Sequence, residues 1–474
     1  MTATDILETD LCVIGAGSGG LSVAAAASQM GARVVLIEGH QMGGDCLNFG
    51  CVPSKALLAA AKAAQAHRTA FPGVEADQPE VDFTAAKDHV ARVIAAIAPH
   101  DSQERFEGLG ATVIRDWARF TSPSTVEAGG RTIRARRFVI ATGSRPLVPP
   151  IPGLDAVPYL TNETIFDQRK APGHLLIIGG GPIGLEMAQA HRRLGCKVTV
   201  IEGAKALGRE DPEAAALVVA SLRAEGVEIL EEVRVERVGG RAGAIEVGVA
   251  GGTILVGTHL LVAVGRAPAL ERLNLDAAGI RHDRQGITVD DRLRSSNRRV
   301  YAVGDAAGRG QFTHLAGYHA GVITRSMLFA LPARARADHI PRVTYTAPEL
   351  AQIGLTEAEA RTRFGGRLGV HRLDFDASDR AQAEAQTRGL IKLMEVSGRP
   401  VGVTIAGPGA GEQIALWSLM MANRLKLGAM AASVFAYPTM AELSKRAAGT
   451  YFTPKLFDNA LIRRVVRAVQ RWVP

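Results

Sequence analysis

Two segments of this chain follow one plan, and that plan narrows the possible folds most. Leu11-Cys12-Val13-Ile14 is an apolar run of the kind that forms a buried parallel strand. It leads into Gly15-Ala16-Gly17-Ser18-Gly19-Gly20, a helix-forming stretch over residues 21–30, and a second apolar run, Val34-Val35-Leu36-Ile37, closed by Glu38. Leu175-Leu176-Ile177-Ile178 leads in the same way into Gly179-Gly180-Gly181-Pro182-Ile183-Gly184, a helix former to residue 194, and Val198-Thr199-Val200-Ile201-Glu202. Each is a strand–turn–helix–strand unit with G-x-G-x-x-G at the turn. The first glycine (Gly15, Gly179) permits the tight turn. The second (Gly17, Gly181) lets the backbone approach a pyrophosphate, and the third (Gly20, Gly184) lets helix pack on strand. Glu38 and Glu202 stand at equal distances from those first glycines, where a carboxylate accepts from a ribose hydroxyl. A single G-x-G-x-x-G is weak evidence. Two copies in matched context predict two dinucleotide-binding units and an α/β chain.

A second constellation is Gly43-Gly44-Asp45-Cys46-Leu47-Asn48-Phe49-Gly50-Cys51-Val52-Pro53-Ser54-Lys55. Pro53 suits the first helical position and Ala56-Leu57-Leu58-Ala59-Ala60 continues as helix. Cys51 is thereby placed at a helix N-terminus, where free N–H groups and the helix dipole favour a thiolate. Cys46 is expected to reach it across a loop containing Gly50. Cysteine is most often a small buried hydrophobe, and that is the simplest account of Cys12 and Cys196, which lie in or beside the apolar runs. For Cys46 and Cys51 the setting favours a redox-active pair.

At 474 residues the chain has room for about three domains. Its composition, 47% hydrophobic and 22% charged, is that of a globular enzyme with a large core. Four cysteines do not make a secreted disulfide framework. The first ten residues carry acidic groups and no basic stretch before an apolar run, so a signal peptide is not expected. No apolar run reaches about 18 residues, the length that would cross a bilayer. A cytoplasmic location is expected, peripheral to a membrane at most. The net charge of +8 is spread thinly, and no nucleic-acid-binding motif accompanies it.

The stretch GGDCLNFGCVPSK resembles the active-site signature of the class I pyridine nucleotide–disulfide oxidoreductases, flavoenzymes that include dihydrolipoamide dehydrogenase, glutathione reductase and mercuric reductase. The resemblance covers nearly the whole chain. The first glycine turn resembles the family's FAD site, with Gly44 beside it, and the second its pyridine-nucleotide site. Phe138-Val139-Ile140-Ala141-Thr142-Gly143-Ser144-Arg145-Pro146 resembles the strand and turn closing the first FAD segment. Leu261-Val262-Ala263-Val264-Gly265-Arg266 resembles the end of the NAD domain. Val300-Tyr301-Ala302-Val303-Gly304-Asp305 resembles the second FAD segment, whose aspartate binds the ribityl–phosphate region. A helix beginning near His314 would turn its N-terminus toward the flavin.

The implied fold is α/β: two Rossmann-like dinucleotide-binding domains and a C-terminal α+β dimerisation domain of the glutathione reductase type. FAD-binding segments over 1–150 and 270–335 would flank an NAD(P)-binding domain over 151–269, with the interface domain over 336–474. The implied cofactors are FAD and NADH, with NADPH the alternative donor to which Lys205 and Arg209 point. The implied assembly is a homodimer. Electrons would pass from nicotinamide through FAD to the Cys46–Cys51 disulfide and on to an acceptor. Cys51 would face the flavin, and Cys46 would be the interchange thiol. Lys55 and Glu186 would pair beside the flavin.

The departure is Phe435-Ala436-Tyr437-Pro438-Thr439-Met440-Ala441-Glu442. Disulfide-reducing members carry a His-Pro and a later glutamate. Here Glu442 fits, but Tyr437 takes the histidine's place, as in mercuric reductases. Those enzymes end in a vicinal cysteine pair, whereas this sequence ends Arg471-Trp472-Val473-Pro474. Metal delivery by a tail dithiol is therefore not expected, nor is a resident metal. The acceptor stays open between a thiol-reactive metal ion, a small disulfide such as lipoamide, and a quinone-like oxidant. A flavin redox sensor or membrane-associated scaffold is the alternative of another class. Residues 461–474 are predicted to form a basic amphipathic helix. It would dock on its own protein or, as the weaker alternative, make contact with an anionic membrane.

Overall fold

The computed structural model of the protein describes residues 6–473. Met1–Asp5 and Pro474 lie outside the described residues, so the expectation of no signal peptide rests on sequence over that stretch, as does the last position of the tail.

The first glycine turn grows out of a seven-stranded sheet. Ile6–Ile14 sits at its centre and pairs in parallel with Val34–Ile37 on one side and Arg131–Ile140 on the other. Thr112–Ile114 extends the first side, and Thr125–Ala128 and Arg119–Ser122 extend the second as an antiparallel flap. Val300–Ala302 also pairs in parallel with Arg131–Ile140, with Val300 opposite Phe138. This pairing carries the Gly304-Asp305 turn to the sheet that holds Gly15. The apolar runs form these strands because their side chains are covered on both faces, and Cys12, Val13, Leu36, Phe138 and Ile140 are essentially inaccessible.

The second turn repeats the design. His174–Ile178 pairs in parallel with Lys197–Ile201 and His259–Val262, and Pro182–Arg193 runs from the turn as a helix. A three-stranded antiparallel sheet, Val235–Arg241, Ala244–Val249 and Ile254–Gly257, follows it. Cys196 is buried beside Lys197–Ile201, and Cys12 lies within Ile6–Ile14. Both are core, as expected.

By contact density the chain divides into two units. The first comprises residues 1–68, 77–203 and 233–336, and the second residues 69–76, 204–232 and 337–474. The expected nucleotide-binding stretch 151–269 is thus shared, because residues 204–232 cluster with the C-terminal unit. That unit holds a five-stranded antiparallel sheet in the order Pro341–Thr344, Glu349–Gly354, Arg399–Gly407, Leu390–Val396, Gly369–Asp374. The helices Ala410–Ala422 and Glu442–Thr450 contribute buried residues to its core. Trp417 is fully buried there, with its indole N–H donating to Ser444 Oγ at 3.0 Å. Among the described residues, no helix is long and apolar enough to cross a membrane.

Candidate active site

The glycine turns behave as their spacing requires. Gly15 (φ 105°) and Gly179 (φ 113°) adopt backbone conformations that L side chains rarely take. A Cβ on Gly20 would lie 1.9 Å from Gly15 O, and one on Gly184 2.0 Å from Gly179 O, so helix and strand meet too closely for any side chain. Ahead of Gly181 the space is open, with nothing within 4 Å of an added Cβ. Gly44 packs against the first turn, where a Cβ would stand 2.7 Å from Gly17 Cα. Glu38 and Glu202 are found at the ends of their strands, each with one oxygen bound to its own turn. Ala16 N–H donates to Glu38 Oε2 at 2.6 Å, and Gly180 N–H donates to Glu202 Oε2 at 2.7 Å. Spacing placed these carboxylates but did not show that they brace the loops.

The cysteine loop differs locally from its sequence expectation. Helix begins at Cys51, so Pro53 is the third helical residue rather than the first, still within the turn whose N–H groups lack partners. Cys46 lies in a separate short helix, Gly44–Asn48, which Gly43 and Gly44 at positive φ turn the chain into, and residues 49–50 link it to the helix that begins at Cys51. Both cysteines are free thiols, Cys46 half-buried and Cys51 exposed. A hydrogen bond from the Cys46 thiol, a second from Thr313 and the charge of Lys55 bring the Cys51 thiol down to about 6. Thr313 Oγ1 lies 3.3 Å from Cys51 Sγ. The start of the 18-residue helix Cys51–Arg68 acts in the same direction. Cys46 moves the opposite way, because its proton is held by Cys51 and its surroundings are partly buried. The arrangement favours a thiolate at Cys51 beside a protonated Cys46. Alkylation of Cys51 by iodoacetamide should therefore rise through pH 6 and level off by about pH 7.5, whereas an ordinary thiol would still be climbing at pH 8.5. Peptide mapping of the adduct against pH checks this.

Lys55 Nζ lies 2.9 Å from Glu186 Oε2, and Glu186 is buried. The structure joins two residues that are 131 positions apart. Asp305 is half-buried, and Ser144 donates to its Oδ2 at 2.5 Å. Burial pushes this carboxyl up. Gly304 N–H donates to His319 Nδ1, and burial holds that imidazole down at about 4, hence neutral. His314 falls in the first turn of Thr313–Met327 and stacks on Phe312 with ring centres 5.3 Å apart. Gly143 and Gly265 hold positive φ in the turns after their strands.

One network went unnoticed at the level of sequence. Arg266 donates to Ser144 Oγ at 2.8 Å and lies 2.9 Å from Asp45 Oδ1, while Asn162 Nδ2 donates to the same Asp45 oxygen at 3.0 Å. Arg266 therefore joins the carboxylate beside Cys46 to the turn that holds Asp305. Arg266 and Asp45 both lie inside quoted motifs, so a charged residue within a motif was the available signal. Asn162 and Thr313 offered none.

The region fits a dinucleotide. The first turn, Gly44 and Asp305 share one sheet end, and Thr142 Oγ1 is buried without a partner. A glycine turn at a helix N-terminus is an anion cradle.

The model of the pyridine nucleotide–disulphide oxidoreductases matches residues 9–320, and that of their dimerisation domain matches residues 340–448. The chain belongs to the pyridine nucleotide–disulphide oxidoreductase family. This oxidoreductase is 34% identical over 455 residues to a mercuric reductase of Streptomyces lividans, covering 93% of this chain and 96% of that protein. It is 37% identical over 468 residues to one from Acidithiobacillus ferrooxidans, covering 95% and 84%. Among solved structures it resembles the Cu(II) complex of the HOCl-induced flavoprotein disulfide reductase RclA from Escherichia coli. That match has a TM-score of 0.83 at 29% identity, over 92% of this chain and 99% of that one. The protein is thus an FAD-dependent disulfide oxidoreductase of the glutathione reductase type that uses a pyridine nucleotide, and its dimerisation domain makes it a homodimer.

The remaining expected residues lie in the C-terminal unit. Tyr437 is 68% exposed, and its hydroxyl donates to Asp379 Oδ2 at 2.7 Å. That bond pushes the phenol further up, away from neutrality. The peptide bond before Pro438 is cis. Glu442 opens Glu442–Thr450, and its Oε1 lies 3.3 Å from Arg446, which also reaches Asp379. The phenol's partner is therefore Asp379 rather than Glu442. Among the described residues, no cluster of three or more His, Cys, Asp or Glu side chains could hold a metal ion.

Proposed function

We propose that this enzyme passes electrons from NADH to the Cys46–Cys51 pair and from there to a thiol-binding metal ion such as Hg(II) or Cu(II). The observation that carries the reading is the residue at position 437, a tyrosine bound to Asp379 and not a base, and it is joined by a Cys51 thiol whose pKa is lowered by Cys46, Thr313 and Lys55. The two acceptor classes differ in protons. Reducing a disulfide follows NADH + H⁺ + RSSR → NAD⁺ + 2 RSH, so two protons must reach sulfur. Reducing Hg(II) follows NADH + Hg²⁺ → NAD⁺ + H⁺ + Hg⁰, and reducing Cu(II) follows NADH + 2 Cu²⁺ → NAD⁺ + H⁺ + 2 Cu⁺, and in neither does a proton reach the acceptor. A phenol held above its usual range by Asp379 is a poor proton carrier for the first, and the second needs no proton carrier.

Bound FAD supplies the two-electron relay between nicotinamide and thiol. Gly15, Gly17, Gly20, Gly44, Thr142, Gly143, Gly304 and Asp305 would hold it, with Lys55 and Glu186 as a charged pair beside it. Gly179, Gly181, Gly184, Glu202 and Gly265 would hold the nicotinamide nucleotide. Cys51 is the thiolate that meets the relay, and Cys46 keeps its proton until an acceptor arrives. In the homodimer the segment around Tyr437 would complete the partner's site. Its exposure supports this, since Val434 is 96% accessible in the single chain.

Glu202 favours NADH because a carboxylate accepts from the ribose 2′-hydroxyl and repels a 2′-phosphate. Lys205, three residues on, is occupied by Glu232 at 3.0 Å. Steady-state kinetics of the FAD-loaded enzyme tests the reading with two donors and two acceptors. NADH with Hg(II) should give the highest kcat/KM. A preference for NADPH would refute the donor assignment, and a preference for lipoamide would make the enzyme a dihydrolipoamide dehydrogenase-like disulfide reductase.

A further inference from the structure

The helix Ala460–Trp472 forms where the sequence predicts one, but it is not docked, because none of its residues is buried. Asn459 caps it by accepting from the Leu461 and Ile462 N–H groups. At 100° per residue, Leu461, Ile462, Val465, Val466, Val469 and Trp472 share one continuous face. Arg463, Arg464, Arg467, Gln470 and Arg471 fill the rest. Leu461 is 68% and Trp472 84% accessible. The preceding short helix Thr453–Phe457 adds exposed Leu456 and Phe457. All of this lies past residue 448, where the match to the dimerisation domain ends.

We propose that residues 453–473 form a membrane-surface anchor, which lays its apolar face into the interface of an anionic bilayer and its arginines against the lipid phosphates. The helix is about 20 Å long, so it lies on a bilayer rather than crossing it. Charge complementarity selects the occupant. From Asn459 to Val473 there is no acidic residue and there are four arginines. Pairing with the same helix of a second copy would line both flanks of the seam with arginines and supply no carboxylate to meet them. A sheet of lipid phosphates answers both the apolar face and the basic one, and Trp472 suits the interface.

The test is flotation of the FAD-loaded enzyme with phosphatidylcholine vesicles carrying roughly 30% phosphatidylglycerol, against vesicles of phosphatidylcholine alone. The enzyme should float with the anionic vesicles only, and added salt should release it. The double variant Val465→Asp, Val469→Asp should lose flotation. Each Arg→Gln change at 463, 464, 467 or 471 should weaken binding about five-fold. These side chains are exposed, so the variants should keep their fold and their NADH-dependent turnover. Absence of flotation at low salt, or equal binding to both vesicle types, would overturn the anchor. So would variants that alter the oligomeric mass and leave flotation unchanged, which would make a second copy the occupant.

Discussion

Cys51→Ser should abolish electron transfer to any thiol-reactive acceptor, lowering kcat by at least about 10³-fold, while NADH still reduces the bound flavin. The serine keeps the shape of the site and the Thr313 contact. It cannot ionise near neutral pH and cannot form or break a disulfide. Cys46→Ser should also stop turnover, but its signature differs. A thiolate remains at Cys51 beside the flavin, and a long-wavelength charge-transfer band is expected to persist in Cys46→Ser and vanish in Cys51→Ser. The Cys46 thiol is the largest cause of the lowered Cys51 pKa. A serine hydroxyl donates at least as well as a thiol, so Cys46→Ser should keep the alkylation midpoint of Cys51 low, whereas Cys46→Ala, which donates nothing, should move it upward from about 6. Absorbance spectra of the reduced variants and their alkylation profiles check both parts. A band that survives in Cys51→Ser would reverse the roles of the two thiols.

Tyr437→His should raise turnover of lipoamide or glutathione disulfide by about 10²-fold or more, the low end of what a positioned acid/base contributes. It should leave metal-ion reduction unimproved. An imidazole titrates near neutrality, and Asp379, already the hydrogen-bond partner of residue 437, could orient it. Tyr437→Phe removes the bond to Asp379 without supplying a base. It also takes away the hydroxyl that would line a metal–thiolate site, so it should impair use of a metal acceptor and leave NADH-dependent flavin reduction intact. Steady-state kinetics with each acceptor, alongside the rate of flavin reduction by NADH, separates these effects. A Tyr437→His enzyme no better with disulfides would show that the missing base is not what limits them.

The parts of this molecule that were legible in sequence are those whose physics is local. A glycine turn between a buried strand and a helix constrains a short stretch of chain, so Gly15, Gly20, Gly179 and Gly184 could be placed with their reasons. Cys51 at a helix start could be placed likewise, although the helix begins two residues earlier than Pro53 suggested. The unread parts pair residues across long stretches of chain. Cys51 meets Thr313 across 262 positions, Asn162 meets Asp45 across 117, and Tyr437 meets Asp379 across 58. No spacing rule predicts such partners, because the topology brings them together. Lys55 and Glu186 were the exception, through the family resemblance. The Glu38 and Glu202 carboxylates fall between these cases. Their positions followed from spacing, but their bonds to Ala16 and Gly180 needed the loop geometry.

In the proposed reaction, electrons leave through a Cys46–Cys51 pair suited to a metal ion rather than to a disulfide. The most direct measurement is single turnover. FAD-loaded enzyme reduced with one equivalent of NADH is mixed at pH 7 with Hg(II) or with lipoamide in a stopped-flow instrument, and loss of the reduced-enzyme spectrum is followed. Reoxidation by Hg(II) should be faster by about 10²-fold or more, in line with the missing acid/base at position 437. Equal rates, or faster reoxidation by lipoamide, would rule out a metal ion as the preferred acceptor.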